Sequence, residues 1–565
     1  MARPLASRPE ADPQTRSWKM NSRVPVLIVG AGPVGLGLAI ELGRSGISCI
    51  VVERRDGSVS VPKASNLSIR HMELNRRWGI AQEVANAGWP PTHPNDFVYC
   101  TTLVGYELAR QRQAPHADRL IPYTPEPNCH CAQLYYDPIL FRLARSFPSV
   151  TIRLHTALES FVQHDGYVEA YVADTKSGER RTITADYLVG CDGAGGTVAT
   201  QLGTTYGGQG DVSTSLNIFF RSPALKAIHE KGWARFYRFI DAGGSWGELV
   251  GIDGDELWRL SVLELDPDSD DHAYMRRFAG TEFPYEILSS MRWTRRECVA
   301  HSYRDRRVFL AGDAAHQNSP TGGLGLHTGI ADAVDLGWKL AAVSQGWGGE
   351  GLLESYECER KRVAADNVRA ATGEFEVLSR IPSGFEIDQD SAQGRALRAR
   401  CAAFFADTGA VKSPLNTDNL RLGYSYEKSP VIVPDGTERP PIETPYFIPT
   451  ARPGTRAPHA WLADDLSMLD LFGEGFVLLR FGDEANADVD LLGAAIAVGM
   501  PLKLVAIADP DIAALYEKRL VLVRPDGHVA WRADRVPADA QALIDHIRGA
   551  GTKKVELRAA GGDAI

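Results

Sequence analysis

The sequence predicts an α/β fold with three units. These are a Rossmann-like dinucleotide-binding domain, an antiparallel-sheet domain that receives a ligand, and a separate α/β domain at the C-terminal end. Three observations carry this. The run VPVLIVG (24–30) is a short buried strand that feeds Gly30-x-Gly32-x-x-Gly35 and then a helical apolar repeat. Segments between 150 and 300 alternate apolar and polar residues at period two. The Pro-rich stretch PDGTERPPIETPYFIPTARPG ends near residue 454, and a new α/β pattern follows it.

In order along the chain, residues 21–95 hold a strand–turn–helix–strand unit that closes with SCIVVE at 48–53. Residues 96–130 are irregular and rich in Pro, His and Tyr, and read as an excursion toward the second domain. Residues 131–205 return to the first domain through VTIRLHTALESFVQHDGYVEAYVAD and the buried strand ADYLVGCDGAGG. Residues 206–300 alternate as LNIFFRS, ARFYRFI and ELWRLSVLE, a sheet hosting a ligand. RRVFLAGDAAH opens the third part of the first domain, 301–375, which continues into two long helices. A helical and linker region spans 376–449. In 450–565, strands GFVLLRF and LKLVAIA precede a hairpin that turns at Asp526-Gly527.

Bulk properties exclude several functions. At 565 residues the chain exceeds one hydrophobic core, so two or three domains are expected. Its 44% hydrophobic and 23% charged residues are those of an ordinary globular chain. A formal charge of −10 argues against nucleic acid as a partner, which needs basic surface to displace counterions. No apolar run reaches the roughly 18–20 residues of a bilayer span, so no membrane partner is expected. The opening MARPLASRPEADPQTRSWKM lacks the apolar segment of a secretory signal and reads as a disordered tail, 1–20, on a cytoplasmic protein. Cysteines stand at 49, 100, 129, 131, 191, 298, 358 and 401. Only Cys129 and Cys131 lie close together, so free thiols and no metal site are expected.

In the first motif, Gly30 permits the tight turn, Gly32 lets backbone approach a pyrophosphate, and Gly35 lets helix and strand pack closely. Pro33 opens the helix, whose N-terminus offers unpaired N–H groups and a positive dipole end. Glu53 ends the next strand, 18 residues after Gly35, placed to accept hydrogen bonds from a ribose. Arg54 and Arg55 fit either a 2′-phosphate pocket or a solvated turn. In the second motif, a buried strand delivers Gly312-Asp313 to a glycine-crowded turn, SPTGGLGLHTG, before a helix. Asp313 can accept hydrogen bonds from a polyol, and the helix N-terminus can stabilise negative charge.

With the middle motif Asp192-Gly193, these segments resemble, in order and spacing, the single-component FAD-dependent aromatic hydroxylases (p-hydroxybenzoate hydroxylase, phenol hydroxylase and the polyketide-tailoring hydroxylases). The resemblance covers roughly 24–370. It implies an FAD-binding domain of the glutathione-reductase type, with an antiparallel substrate sheet. In the implied cycle NADPH or NADH reduces FAD, O2 adds at flavin C4a, and that hydroperoxide oxygenates an electron-rich phenolic ring. It places Arg70 and Gln133 near the ribityl and phosphate groups and Asp313 on the ribityl chain. Pro320 and the Gly322-Gly323-Leu324-Gly325 turn then face the isoalloxazine ring, the backbone N–H groups of 325–328, with Leu326 and His327 among them, its pyrimidine edge, and Gly312 binds the cofactor beside Asp313. Pro320 and His327 are the flavin-positioning candidates, and no residue stands out as a catalytic base. Residues 450–565 resemble a thioredoxin-like domain. They hold no cysteine and so no CxxC, and a structural role or support of a homodimer follows.

The middle motif departs from the family's DGxxSxVR. Here it reads Asp192-Gly193-Ala194-Gly195-Gly196-Thr197-Val198-Ala199, without the Ser and Arg, which puts docking of the reductant in doubt. Lys63 stands where an Arg is usual, and His327 where an Asn is usual. Asn217, Phe219, Tyr237, Phe239 and Trp258 are the substrate-pocket candidates, with core packing their alternative. His316 reads as structural. A Baeyer–Villiger oxygenase on the same scaffold and a non-catalytic flavin-binding protein are the competing functions.

Overall fold

The computed structural model describes residues 23–118, 120–263, 265–266, 269–319, 323–407, 418–441, 447–482 and 489–551. The expected tail at 1–20 and the candidate Pro320 lie outside the described residues. β1 (Val24–Val29) has four buried residues and feeds α1 (Pro33–Arg44), in which nine consecutive positions from Gly35 to Gly43 are buried. β2 (Cys49–Val52) follows, and α2 (Ile69–Arg77) starts where Ser68 caps the backbone N–H of His71. β3 (Phe97–Cys100) leaves for the second sheet, and α3 (Gln133–Ser146), β4 (Val150–Arg153) and β5 (Arg180–Gly190) return to the first.

The second sheet is then built by β6 (Tyr206–Arg221), β7 (Phe236–Asp241), β8 (Gly244–Gly251) and β9 (Leu257–Val262). Helix α4 (Asp271–Ala279) and the long β10 (Glu286–Ala300) complete it. β11 (Val308–Leu310), α5 (Gly325–Ser344), α6 (Glu350–Leu378) and α7 (Ala392–Asp407) follow. The last unit contains β12 (Phe476–Phe481), β13 (Leu502–Ile507), β14 (Leu520–Val523) and β15 (Val529–Ala533).

Parallel pairing of β11–β5–β1–β2–β4 forms the spine of the first sheet. The strands β1, β2 and β11 and the end of β5 (188–190) are apolar, as the covered centre of a parallel sheet requires. In the second sheet β10, β6, β9, β8 and β7 pair antiparallel in that order, and β3 joins β7 parallel at one side. The last unit is a four-stranded sheet, ordered β13–β12–β14–β15, whose β14–β15 hairpin turns through Asp526-Gly527.

This last unit is tied to the first domain by buried charge. Arg524, after β14, donates to Glu359 (2.7 Å) on α6 and to Asp335 (3.0 Å) on α5, as well as to Asp526 (2.6 Å). Lys339 donates to the same Asp335 (2.8 Å) and Glu359 (2.7 Å). From the other side, Arg77 of α2 donates to the Pro525 carbonyl (2.7 Å), and Arg456 donates to Glu73 (2.9 Å). Asp335, Glu359 and Asp526 cluster closely enough to hold a cation, and the ammonium of Lys339 and guanidinium of Arg524 take that part.

Several histidines are buried neutral. Burial pushes His71 down to about 3. It likewise pushes His528 to about 4 against the pull of Asp526. Each folded value lies below the ordinary 6.5. The stability these groups contribute is therefore complete above about pH 6.5 and is lost as pH falls toward the folded values. His528 alone accounts for about 3 kcal/mol between those limits. The midpoint of urea unfolding is expected to hold steady from pH 8 to 7 and then decline below 6.5. An unchanged midpoint down to pH 5 would contradict this.

Candidate functional site

A single cavity of about 1160 Å³ joins the two large sheets. One end is formed by the turn after β1, the segment 63–66, the turn after β5, and Ala311 to Ser319. The other end is the face of the second sheet, closed by Leu378, Phe404 and Phe405 from the helical region 376–449.

At the first end, the glycine turn leaves its space for a ligand and not for side chains. Gly30 has φ +105°, and a Cβ there would lie 2.4 Å from the Cys191 carbonyl oxygen. A Cβ on Gly35 would lie 2.0 Å from the Gly30 carbonyl oxygen. A Cβ on Gly32 would meet nothing within 4 Å, since Gly32 opens onto the cavity with Pro33 and Val34. α1 begins there without a side-chain cap, so its first N–H groups face the same space. Glu53 braces the turn, accepting from the backbone N–H of Ala31 (2.9 Å) and of Arg55 (2.9 Å). Arg54 is exposed and contributes nothing to the lining. Gln133 lines the cavity and accepts from the N–H groups of Lys63 and Ala64, both at 3.0 Å.

Asp192 and Arg70, both expected at the cofactor, are turned elsewhere. Asp192 accepts from the Val198 N–H (3.0 Å) and braces its own turn, while Cys191, Gly193 and Ala194 face the cavity. Arg70 is a correction. On α2 it donates to Glu73 (3.0 Å) and to the Asp526 carbonyl (2.8 Å), so it docks the last unit and does not reach the cavity.

Asp313 is exposed and lines the cavity beside Ala311. Gly312 has φ +61°, and its N–H donates to buried Asp332 (3.1 Å). That carboxylate also holds His316 (2.7 Å) and Arg360 (2.8 Å), so His316 fixes the loop from behind. Gly323, Gly325 and Leu326 line the cavity at the start of α5, a 20-residue helix whose first turn has no side-chain cap. His327 does not line it. Its Nδ1 lies 3.1 Å from Nδ1 of His71, whose Nε2 lies 2.6 Å from the Tyr136 hydroxyl. Burial, chiefly, with His71 and Arg421 adding, keeps His327 neutral.

Across the cavity, Asn217 lines the wall, and Phe219 lies on the same face of β6 in an apolar cluster with Phe97, Tyr99 and Phe236. Tyr237, Phe239 and Trp258 are corrections. They point to the opposite face, into a core with Tyr274, Met275 and Phe278 of α4. Their neighbours Phe236, Arg238 and Arg259 face the cavity instead, because side chains alternate along a strand and the expected parity is off by one. Sequence reasoning also missed Tyr99, whose ring lies 3.9 Å from that of Phe405 on α7.

The comparisons with known proteins agree with this geometry. Residues 23–371 match the FAD binding domain family, and residues 450–550 match the aromatic-ring hydroxylase C-terminal family. A putative polyketide hydroxylase of Streptomyces halstedii is 33% identical over 560 residues, covering 93% of this chain and 96% of the relative. Among solved structures, the rebeccamycin biosynthetic enzyme RebC with reduced flavin is 37% identical with a TM-score of 0.88, covering 94% of this chain and all of that one. The flavin-dependent monooxygenase PieE, in complex with FAD and substrate, is 29% identical with a TM-score of 0.85 over 94% of this chain and all of its own. The chain belongs to the FAD-dependent aromatic-ring monooxygenases, the family of hydroxylases to which these proteins are similar.

Proposed function

We propose that this protein is an NAD(P)H- and O2-dependent hydroxylase of a phenolic aromatic compound. The observation that carries the reading is the continuity of one cavity from the glycine turn and Asp313 to an aromatic-walled sheet. Bound FAD would supply the redox chemistry, carrying two electrons from NAD(P)H to O2 so that one oxygen atom goes to the substrate and the other leaves as water. The chain's own residues hold and aim it. Gly32 and the α1 N-terminus receive the pyrophosphate, Glu53 the ribose, and Asp313 the ribityl chain. The uncapped first turn of α5 stabilises negative charge on the pyrimidine edge. Phe97, Tyr99 and Phe236 pack the substrate ring, while Phe404 and Phe405 help exclude water from it.

The test is NADH and NADPH oxidation by the FAD-loaded protein with phenols, benzoates and polycyclic phenols, with product masses recorded. Stimulated oxidation with a gain of one oxygen on the ring is expected. A lactone product would replace hydroxylation by a Baeyer–Villiger outcome. If no compound stimulates oxidation of either nucleotide, the hydroxylase reading falls.

A further inference from the structure

A second hollow, of about 590 Å³, lies where the start of β6 and the end of β10 face α6. It shares no lining residue with the flavin cavity. β6 shifts register between Gly208 and Gly210, and this bulge opens the ladder opposite Glu297. The walls are largely aliphatic, with Val299 on β10 and Ala365 and Val368 on α6.

Glu297 is the exception. It lines this hollow and is 1% exposed. Its Oε2 accepts from the Thr372 hydroxyl, which shares its single proton with the Val368 carbonyl (3.0 Å). Its Oε1 is buried and has no hydrogen-bond partner among the described residues. A carboxylate can accept about four hydrogen bonds, and a desolvated one is costly unless donors surround it. Arg295, two residues earlier on the same face of β10, belongs to the flavin cavity. Burial lowers the pKa of Arg295, and the charge of Glu297 offsets only part of that. The cations at the rim are engaged with other groups. Lys361 bonds the His301 carbonyl and lies 3.6 Å from Glu357, and Arg369 donates to Asp366 (3.0 Å).

The hollow therefore lacks a donor for Glu297 that is carried on an apolar body. A divalent metal fits poorly, since it takes about six or more oxygens and these walls are aliphatic. A phosphate fits poorly too, because both rim cations are paired and Glu297 would repel it. We propose that this hollow binds a small organic ammonium compound. Its N–H donates to Oε1 of Glu297, a charge-assisted bond in a water-poor setting, and its hydrocarbon part lies on Val299, Ala365 and Val368. The site stands apart from the flavin cavity and does not depend on which compound that cavity oxidises.

The experiment titrates the FAD-loaded protein calorimetrically with 2-phenylethylammonium and with 2-phenylethanol, its uncharged counterpart. Wild type is expected to prefer the ammonium. Glu297→Gln keeps the shape and removes the charge. It should weaken the ammonium about tenfold to more than a hundredfold while leaving the alcohol nearly unchanged. Because Glu297 also holds Thr372, a second variant leaves the carboxylate alone. Ala365→Phe, at a half-buried lining position, should fill the hollow and weaken both probes, with a wild-type melting temperature and flavin spectrum. No binding of the ammonium would leave an ordered water as the partner of Oε1 and overturn the site. Equal affinity for the two probes, or ammonium binding undiminished in either folded variant, would overturn it as well.

Discussion

Gly32→Val is expected to give a protein that folds as well as the FAD-free wild type yet purifies colourless. The backbone at Gly32 is φ −72°, ψ 177°, extended geometry that valine adopts without strain. Its Cβ would point into open space, since no protein atom lies within 4 Å. On the proposed reading that space takes the cofactor's pyrophosphate, so added methyl groups meet the ligand and not the fold. Overpacking of this kind costs about 1–3 kcal/mol, which weakens FAD roughly fivefold to more than a hundredfold. Gly35→Ala is the contrasting variant. Its methyl carbon would fall 2.0 Å from the Gly30 carbonyl oxygen, so it must push apart the strand and helix and lower the melting temperature of the FAD-free protein too. The readouts are FAD affinity by fluorescence quenching and thermal unfolding of the FAD-stripped proteins. A yellow Gly32→Val protein with wild-type affinity would move the phosphate site away from this turn.

The contrast between these two glycines also explains what was legible in the sequence. A phosphate turn is a backbone requirement satisfied within a few residues, so strand, glycine spacing and helix announce it together. The same holds for Gly312-Asp313, where a buried strand and a helix bracket the turn. The second sheet is different. Period two shows that Phe236 and Arg238 share a face and that Tyr237 and Phe239 share the other, but it does not say which face meets the ligand. Both faces carry an apolar cluster here, one packed on α4 and the other beside the cavity. An arginine flanked by apolar residues, as in LWRLS, reads as a strand's polar side, and only the folded sheet shows Arg259 pointing at a ligand space. Arg70 was misplaced for a reason of distance. Its partner carbonyl is 456 residues away, and no local pattern reports that α2 docks a hairpin from the last unit. The wall supplied by Phe404 and Phe405 was hidden likewise, since α7 reads as a linker helix until it is packed against Tyr99.

Arg524→Met should cost the largest share of stability of any substitution outside the cofactor turn. The guanidinium meets three carboxylates, Asp335, Glu359 and Asp526, and is fully buried with them. Removing it leaves Lys339 as the remaining cation bonded to Asp335 and Glu359, and leaves Asp526 without its strongest partner. Breaking a buried pair by deleting one member typically costs about 3–5 kcal/mol, because the survivor's charge stays desolvated. The loss is expected to appear as a lower unfolding midpoint and as faster proteolysis of the last unit, since Arg524 is on that unit while Asp335 and Glu359 belong to α5 and α6. A merely volumetric role predicts something else, because methionine fills much of the same space. The two accounts separate in the double variant Arg524→Met/Glu359→Gln. Neutralising Glu359 removes the stranded charge, so the second substitution should restore part of what the first one lost, although Glu359→Gln alone is destabilising. Additive losses in that cycle, or a cost below about 1 kcal/mol for Arg524→Met, would mean that packing and not charge holds the last unit to the flavin domain.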